Sequence, residues 1–194
     1  MSGEVTTRVT LISPAVGRDL REVRFAGEGP VDAEGLRRAR SAAGNLPAAD
    51  RVAVSPSRRC RDTAVALGLA PDDGAVAPTG WDVGRWRGRT LDEVTAQDPG
   101  AVREWLTDPS GAPHGGESLT GLRERVGGWL DATVAGTGRM VAVVEPDVVR
   151  AAVVHALGVP DATFWRIDAG PLAAVALTGR SGRWNLRVGT PLDR

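Results

Sequence analysis

The chain has 194 residues, of which 42% are hydrophobic and 25% are charged, and this composition suits one folded domain with a single sizeable core. Its 24 basic and 24 acidic residues cancel and form no long run of one sign, so the charge pattern of a nucleic-acid-binding or membrane-binding protein is excluded. With Cys60 as its only cysteine, the chain cannot form an internal disulfide, a cysteine-based zinc site is not expected, and no cofactor is predicted.

The first third of the chain shows alternating strand and helix signals. Apolar residues predict a strand over residues 5–12, and Asp32 is placed to cap a helix that runs to about residue 43. The run RVAVSP predicts a second, buried strand, and a helix follows over residues 58–67 and ends at Gly68. This β-α-β-α order is typical of an α/β domain.

The middle of the chain, residues 71–116, is rich in loops. It contains two short predicted helices, at residues 91–97 and 101–106. We interpret this segment as an insertion that covers one end of the sheet, within a single domain that spans residues 1–194.

The last part of the chain returns to regular elements. Ser118 is placed to cap a helix over residues 119–135. The apolar residues of this helix recur at helical spacing, and they are Leu122, Val126, Trp129, Leu130 and Val134. MVAVV predicts a strand, VVRAAVVHALG predicts a helix ended by Gly158, and LAAVALT and WNLRVG predict a closing hairpin around residues 179–182. These elements predict a three-layer α/β/α sandwich with a mostly parallel sheet, which binds ligands at the carboxyl ends of its strands.

Three predicted strands end in short segments that contain proline, namely Ser13-Pro14-Ala15, Ser55-Pro56 and Glu145-Pro146-Asp147. They belong to a series of six segments in order along the chain: VTLISPA, RFAGEGPVDAEG, VSPSRRCRDTAVALG, WDVGRWRGRTLDEV, HGGES and VAVVEPDVVRAAVVHALG. On this series, the chain resembles the histidine phosphatase superfamily, the phosphoglycerate mutase-like proteins, over nearly its whole length.

The resemblance implies that the catalytic nucleophile is missing. Members of the family carry an Arg-His-Gly triplet after the first strand, and its histidine attacks phosphorus to form a phosphohistidine. Here Ser13, Pro14 and Ala15 occupy the triplet. Proline has no side-chain nucleophile, and its ring nitrogen belongs to a tertiary amide, so no phosphohistidine can form at this position.

The resemblance also implies that the second histidine and the acid are replaced. Counted back from Arg150, the second family histidine falls on Glu145, and the family acid falls on Gly80. Arg59 matches the second phosphate-binding arginine, so this part of the family site is retained. A carboxylate within about 5 Å of a phosphate costs on the order of 3 kcal/mol per unit charge, which Arg59 offsets only in part.

We therefore predict a catalytically degenerate member of this fold that binds a small anionic metabolite or a protein partner. The candidate ligand-binding residues are Arg59, Glu145, Arg150, Ser13, His114 and Glu117. The first residues, MSGEVTTRV, contain no apolar signal segment, and no stretch reaches the roughly 20 apolar residues that cross a bilayer, so a cytoplasmic protein without membrane or nucleic-acid partners is expected.

Several alternatives remain open at this point. Glu145 and Arg59 can pair with each other, in which case the pocket has no ligand-binding or catalytic function. Alternatively, Glu145 acts as a general acid or base while Arg59 stabilises an oxyanion. Ser13 as a nucleophile lacks a nearby histidine base, and a metal site of Glu145, Asp147 and His114 fits no familiar ligand spacing.

The remaining candidates have structural interpretations beside the functional ones. In WDVGRWRGRTLDEV, Trp81, Trp86, Arg85 and Arg87 either form a lid suited to a flat or anionic ligand or divide into core tryptophans and solvated arginines. His155 lies within a predicted helix and is interpreted as a packed or partly exposed residue. Cys60 follows Arg59 in a helix, and adjacent positions point about 100° apart, so we expect it to be buried behind the pocket.

Overall fold

The computed structural model describes residues 6–25, 27, 29–134, 138–180 and 182–188. In chain order the described strands and α-helices are β1 (Thr7–Ile12), α1 (Arg18–Arg21), α2 (Ala33–Ala42), β2 (Arg51–Val54), α3 (Arg58–Ala66), α4 (Leu91–Gln97), α5 (Pro99–Thr107), α6 (Leu119–Val134), β3 (Arg139–Val143), α7 (Pro146–Leu157), β4 (Ala174–Arg180) and β5 (Arg183–Arg187). Short 3₁₀ turns lie at Ala43–Asn45, Gly84–Trp86 and Asp161–Arg166. The predicted strand start at Val5 and helix end at Ala135 lie outside the described residues.

The five described strands form one sheet in the order β2-β3-β1-β4-β5. Strands β2, β3 and β1 are mutually parallel, whereas β4 is antiparallel to both β1 and β5, so β4 alone runs against the other described strands. Ile12 and Val54 both pair with Val143. The three parallel strands therefore end at the same level, and the segments that follow them share one edge of the sheet.

Both faces of the sheet are buried, which confirms the predicted α/β sandwich. Side chains alternate along a strand, so Val9 and Leu11 of β1 enter one core cluster while Ile12 enters the other. The first cluster contains residues of α6 and α7, and the second contains residues of α2 and α3. Helices therefore cover each side of a sheet that is parallel at its centre.

The predicted helix caps are confirmed. The Asp32 carboxylate accepts a hydrogen bond of 2.7 Å from the Gly35 N–H, and the Ser118 hydroxyl accepts one of 3.0 Å from the Gly121 N–H. Gly158 ends α7 with a φ of +61°, a left-handed conformation that glycine adopts without strain. Each cap satisfies a backbone group that the helix itself leaves unpaired.

Two helices begin earlier than predicted, and both begin at a proline. Helix α5 starts at Pro99 instead of residue 101, and α7 starts at Pro146 instead of residue 148. Proline is favoured in the first turn of a helix because its fixed φ suits the helix and its missing N–H is not needed there. The prediction treated these prolines as the end of a loop, although they are the first residues of the helices.

The loop-rich insertion contributes four of the seven rings of an aromatic cluster. Its rings are Phe25, Trp81, Trp86, Trp105, His114, Phe164 and Trp165. Trp81 and Trp86 share one core cluster with Val9 and Leu11 of β1, so the insertion and the sheet have a continuous core. In the described part of the chain, none of the helices has the length and apolar character to cross a membrane.

Candidate ligand cavity at the carboxyl ends of the strands

A cavity of about 490 Å³ opens at the sheet edge where the parallel strands end. Its described lining consists of Gly27, Ser55, Pro56, Ser57, Arg59, Thr79, Gly80, Trp81, Asp82, Arg87, Glu145 and Asp147. The segments after β2 and β3 supply one wall, and the loop before α4 supplies the other. This position agrees with the rule that ligands of open α/β sheets bind beyond the carboxyl ends of the strands.

An internal ion pair dominates one wall of this cavity. Glu145 follows β3, and only 7% of its side-chain surface is exposed. Its Oε1 accepts a hydrogen bond of 2.9 Å from Arg59 Nε, and its Oε2 accepts a second, short one from Arg59 Nη2. A guanidinium that binds both oxygens of a carboxylate forms the strongest geometry available to this pair. The sequence-based alternative of an Arg59–Glu145 pair is therefore observed.

Ser57 also binds Glu145, and the sequence analysis did not identify this residue. Its hydroxyl donates a hydrogen bond of 2.6 Å to Glu145 Oε1 and accepts one of 3.3 Å from the Cys60 N–H, so it also caps α3. The cap position of Ser57 directly before a predicted helix was a usable signal, but nothing local to it indicated a contact 88 residues away. By starting α3, Ser57 places Arg59 in the first turn, facing Glu145.

The ion pair also affects its neighbours electrostatically. Burial alone would lower the pKa of Arg59, but the hydrogen bonds and charge of Glu145 raise it overall, so Arg59 stays charged. Burial, together with the nearby Glu145 charge, raises the pKa of the Cys60 thiol well above its ordinary value. The prediction that Cys60 is buried behind the pocket is confirmed, because it has no exposed surface.

Asp147 presents a second carboxylate to the cavity. Its oxygens accept hydrogen bonds from the backbone N–H groups of Trp81, at 2.7 Å, and Val148, at 2.8 Å. Burial first, and then the charge of Glu145, raise the pKa of Asp147 to about 6, while the two N–H groups and Arg59 oppose the shift. Asp147, which the sequence analysis considered only as a metal ligand, thus has a pKa above that of an ordinary aspartate.

The glycine at the position of the family acid leaves room for Glu145. A Cβ atom added at Gly80 would approach Glu145 Cγ to 3.0 Å and Asp147 Oδ2 to 3.4 Å. A side chain at residue 80 would therefore compete for the space that Glu145 fills. The glycine at position 80 and the glutamate at position 145 are therefore sterically linked.

Glu117 supports the cavity from outside its wall. Both of its carboxylate oxygens accept hydrogen bonds of 2.8 Å from Arg125, and Arg125 donates in turn to the carbonyl oxygens of Thr79, at 3.1 Å, and Gly80, at 3.3 Å. The Trp81 indole N–H donates to the Glu117 carbonyl oxygen at 2.7 Å. Glu117 was predicted as a ligand contact, but in the described structure it positions the backbone of the cavity wall through Arg125, which the sequence analysis did not single out.

The segment after β1 is closed by backbone hydrogen bonds. The Ser13 N–H donates to the Ala173 carbonyl oxygen at 3.0 Å, and the Ser13 carbonyl oxygen accepts from the Leu172 N–H at 3.2 Å. The Ala15 N–H donates to the Thr63 hydroxyl at 3.0 Å. Ser13 has no exposed surface, is absent from the described cavity lining, and its hydroxyl has no partner among the described residues. This placement gives no support to the prediction that Ser13 contacts a ligand.

His114 and Arg150 also lie outside the described cavity lining. His114 is buried edge-on against Trp81 and Trp86, and its Nδ1 accepts a hydrogen bond of 3.0 Å from the Gly116 N–H. Burial lowers the pKa of His114, which keeps its imidazole neutral at pH 7. The Arg150 guanidinium lies 5.7 Å from the ring centre of Phe164. Both residues therefore have packing roles in the described structure.

No metal site and no second histidine replace these losses in the described residues. No group of three potential ligands clusters there in a way that could hold a metal ion, so the combination of Glu145, Asp147 and His114 is not assembled. His155 Nε2 lies 3.0 Å from Asp131 Oδ2, and Asp131 Oδ1 accepts from the Trp184 indole N–H at 2.9 Å. His155 thus ties α7 to α6 and β5, as its interpretation as a packed helix residue predicted.

The cavity carries more negative than positive charge. Its described lining contains two arginines, Arg59 and Arg87, and three carboxylates, Asp82, Glu145 and Asp147. Arg87 lies on the exposed surface and contacts Asp82 at 3.4 Å. With Trp81 and Trp86 buried in the core, the segment WDVGRWRGRTLDEV divides into core tryptophans and surface arginines, of which Arg87 borders the cavity.

The fold and the place of the cavity define an α/β protein of the phosphatase-like class, with a sheet that is parallel at its centre and a site beyond its strand ends. The model of the histidine phosphatase superfamily (branch 1) matches residues 19–189 of the chain. The chain belongs to this superfamily.

Similar proteins are known from mycobacteria. A bifunctional protein of Mycobacterium tuberculosis is 34% identical over 141 residues, which cover 67% of this chain and 38% of that protein. A glucosyl-3-phosphoglycerate phosphatase of Mycolicibacterium vanbaalenii is 41% identical over 81 residues, covering 38% of this chain and 34% of the relative. The chain thus matches well under half of the length of these curated relatives.

Solved structures agree over almost the whole chain. A mycobacterial hydrolase has a TM-score of 0.83 at 25% identity, with 94% of this chain and 97% of that chain covered. A mycobacterial glucosyl-3-phosphoglycerate phosphatase in complex with VO3 has a TM-score of 0.81 at 27% identity, with 93% and 97% covered.

Proposed function

We propose that this chain is a catalytically inactive member of the histidine phosphatase superfamily that acts by binding and performs no phosphohistidine chemistry. The observation that carries the proposal is the buried pair of Arg59 and Glu145, in which a carboxylate of the chain itself neutralises the arginine that resembles the family's phosphate ligand. Because the buried Glu145 carboxylate already binds the Arg59 guanidinium, this arginine is not free to bind a phosphate.

Phosphohistidine formation requires an imidazole at the strand ends, and the described cavity lining contains no histidine. Pro14 has no nucleophilic atom. Ser13 has a buried hydroxyl and no partner among the described residues, so nothing there removes its proton. A phosphate brought to within about 5 Å of Glu145 would meet on the order of 3 kcal/mol of repulsion per unit charge.

The alternative enzyme, with Glu145 as general acid or base, requires a carboxyl group that is free to exchange a proton with a substrate. Both oxygens of Glu145 accept hydrogen bonds from Arg59, and one of them also accepts from Ser57. These contacts hold the charged carboxylate and occupy its lone pairs. The geometry therefore favours a binding function over acid-base catalysis by this residue.

The charge of the cavity bears on the choice between the two predicted kinds of partner. Three carboxylates and two arginines line it, and Arg59 is already paired. This balance disfavours a small anionic metabolite, because an incoming anion would have to displace Glu145 from Arg59. We therefore propose a protein as the binding partner. The name glucosyl-3-phosphoglycerate phosphatase belongs to a relative that matches 38% of this chain in sequence and to a solved structure that matches 93% of it at 27% identity, and we propose that this chain differs from them in its activity.

Phosphatase activity and phosphoenzyme formation test the proposal. The purified chain is assayed with p-nitrophenyl phosphate next to a superfamily member that has both histidines, and intact-mass spectrometry searches for a phosphorylated chain. We expect neither turnover above buffer nor a phosphorylated species. The control variant is Arg59→Met with Glu145→Leu, which removes both charges of the ion pair together. Hydrolysis by the wild-type chain that this variant abolishes, or any phosphorylated side chain, would contradict the proposal.

A further inference from the structure

Helices α2 and α3 carry a surface of unpaired positive charge, which we name the basic surface and define as Arg40, Arg58, Arg61 and Val65. Arg58, Arg61 and Val65 follow one another at spacings of three and four residues, so they share the outer face of α3. A groove of about 720 Å³ between α2 and α3 is bordered by Arg40, Arg58 and Val65. Val65 is 78% exposed beside it, which is unusual for a valine in a helix that buries its other face.

Two of the three arginines of the basic surface have no counter-charge among the described residues. Among the described residues, Arg40 and Arg61 have neither a hydrogen-bond nor an ion-pair partner, and Arg58 reaches Asp62 only at 3.9 Å. Asp62 accepts a hydrogen bond of 3.3 Å from the Val31 N–H, so its carboxylate is directed in part to the backbone. The positive charges of this surface are thus available to an acidic partner.

Helices α4 and α5 carry the opposite charge, and we name their exposed side the acidic surface. Residues 91–108 contain five acidic residues and one arginine. The acidic residues are Asp92, Glu93, Asp98, Glu104 and Asp108. Asp92 and Glu104 are exposed and have no hydrogen-bond or ion-pair partner among the described residues. Leu91 is 37% exposed and Leu106 is 46% exposed, so this surface, like the basic one, combines charge with aliphatic side chains.

The two surfaces cannot meet within one molecule. Val94 of α4 and Val102 of α5 belong to the core cluster on one side of the sheet, whereas Cys60 and Ala64 of α3 belong to the cluster on the other side. The chain has a net charge of zero, so two copies do not repel each other overall. A second copy of the same chain carries the complementary surface for each patch.

We propose that the chain associates head to tail, with the acidic surface of one copy docked on the basic surface of the next. Because the two contacting surfaces are different, the interface is heterologous, and each complex exposes a free basic and a free acidic surface to further copies. This proposal is independent of the proposed loss of catalysis, since neither surface contains a residue of the cavity wall.

Sedimentation velocity of the full chain tests the proposal. The chain is measured over a range of concentrations at about 0.02 M and about 0.5 M salt, between which the Debye length falls from roughly 20 Å to roughly 4 Å. We expect the weight-average mass to rise with concentration at low salt and to return to the monomer value at high salt. A chain that stays monomeric at low salt overturns the proposal, and in that case any acidic partner must be a different protein.

Charge reversal locates the interface. Arg58→Glu with Arg61→Glu makes both surfaces acidic, and Asp92→Arg with Glu104→Arg reduces the net charge of the acidic surface to zero. Each double variant is expected to weaken self-association about tenfold, because the first replaces attraction by repulsion and the second removes the attraction. An equimolar mixture of the two is expected to associate again, which a merely misfolded variant would not do.

The matched control is Arg183→Glu with Arg187→Glu on β5, where both side chains are exposed and the net charge changes by the same amount. This variant is expected to associate like the wild-type chain. An equal loss of association in the control, or no association in the mixture of the two surface variants, overturns the assignment of the interface.

Discussion

The ends of β1 and β3 lie side by side in the sheet, yet the residues that follow them are held in place in different ways. Ile12 pairs with Val143, so Ser13 and Glu145 follow at the same sheet edge. After β1 the chain is closed by backbone hydrogen bonds and has no exposed surface at Ser13. After β3 the Glu145 carboxylate is buried and pairs with Arg59. Ser13 is thus an uncharged buried residue, whereas Glu145 is a buried charge that depends on Arg59.

This difference has an energetic consequence. A backbone hydrogen bond and a buried small side chain tolerate local change, because little is lost when a hydroxyl or methyl group is altered. A buried ion pair is different, since each charge has lost its hydration and depends on the other. The end of β3 should therefore be far more sensitive to substitution than the end of β1, and the following experiments challenge that expectation in order of decreasing effect.

The largest effect is expected from Glu145→Ala. The substitution leaves the Arg59 guanidinium buried without its counter-charge, and breaking one side of a buried pair costs about 3–5 kcal/mol of unfolding free energy. Urea unfolding of wild type and variant measures the difference. The double variant Arg59→Met with Glu145→Leu is the control, and we expect it to be near neutral or stabilising. A loss below about 1 kcal/mol in Glu145→Ala would show that the pair is not a stability determinant.

A smaller, pH-dependent effect is expected from Asp147→Asn. The pKa of Asp147 is raised to about 6 by burial and by Glu145, so the folded chain binds this proton more tightly than the unfolded chain. Its contribution to stability is present below the ordinary aspartate pKa near 4 and is lost as the pH rises through about 6, a change of about 1–3 kcal/mol.

Unfolding free energies measured from pH 4 to pH 8 check this sign. The Asn variant is expected to lack the decline between about pH 4 and about pH 6, so wild type loses stability relative to the variant as the pH rises. The loss of one acceptor for the Trp81 or Val148 N–H is independent of pH and shifts the whole curve. Asp92→Asn, at an exposed position of α4, makes the same chemical change outside the cavity. Parallel curves for wild type and Asp147→Asn would refute the assignment.

The smallest effect is expected at the end of β1. Ser13→Ala removes a buried hydroxyl that has no partner among the described residues, so stability should change by less than about 0.5 kcal/mol or rise slightly. Ser57→Ala is the matched substitution at the other site. It removes both the cap of α3 and a hydrogen bond to Glu145, and a loss of about 1–2 kcal/mol is expected in urea unfolding. Equal effects of the two substitutions would erase the contrast between the two strand ends.

Local patterns in the sequence predicted most of the fold. The caps at Asp32 and Ser118 and the glycine end of α7 follow from short-range chemistry and were correct. The starts of α5 and α7 were placed two residues late, because a proline after a strand or loop resembles a break as well as a helix start. The parallel centre of the sheet followed from the alternation of strands and helices.

The site was only partly accessible to sequence reasoning. Arg59 and Glu145 were identified through spacing within the resembled segments, and their mutual contact was one of the alternatives. The roles of Ser57 and Arg125 depend on contacts between segments that are 88 and 45 residues apart, respectively, which no local pattern encodes. Likewise, nothing in the sequence around His114 indicated that the aromatic rings would hold it away from the cavity.

Trp81 gives the cavity a built-in optical signal. Its backbone N–H binds Asp147, its indole N–H binds the Glu117 carbonyl oxygen, and its ring contacts Trp105 and Trp165 in the aromatic cluster. The indole centres lie 5.5 and 5.9 Å from that of Trp81, close enough for the rings to exchange excitation energy, so we expect a molecule that enters the cavity and disturbs Trp81 to alter the emission of the cluster. Intrinsic fluorescence can therefore follow occupancy of the cavity without any label.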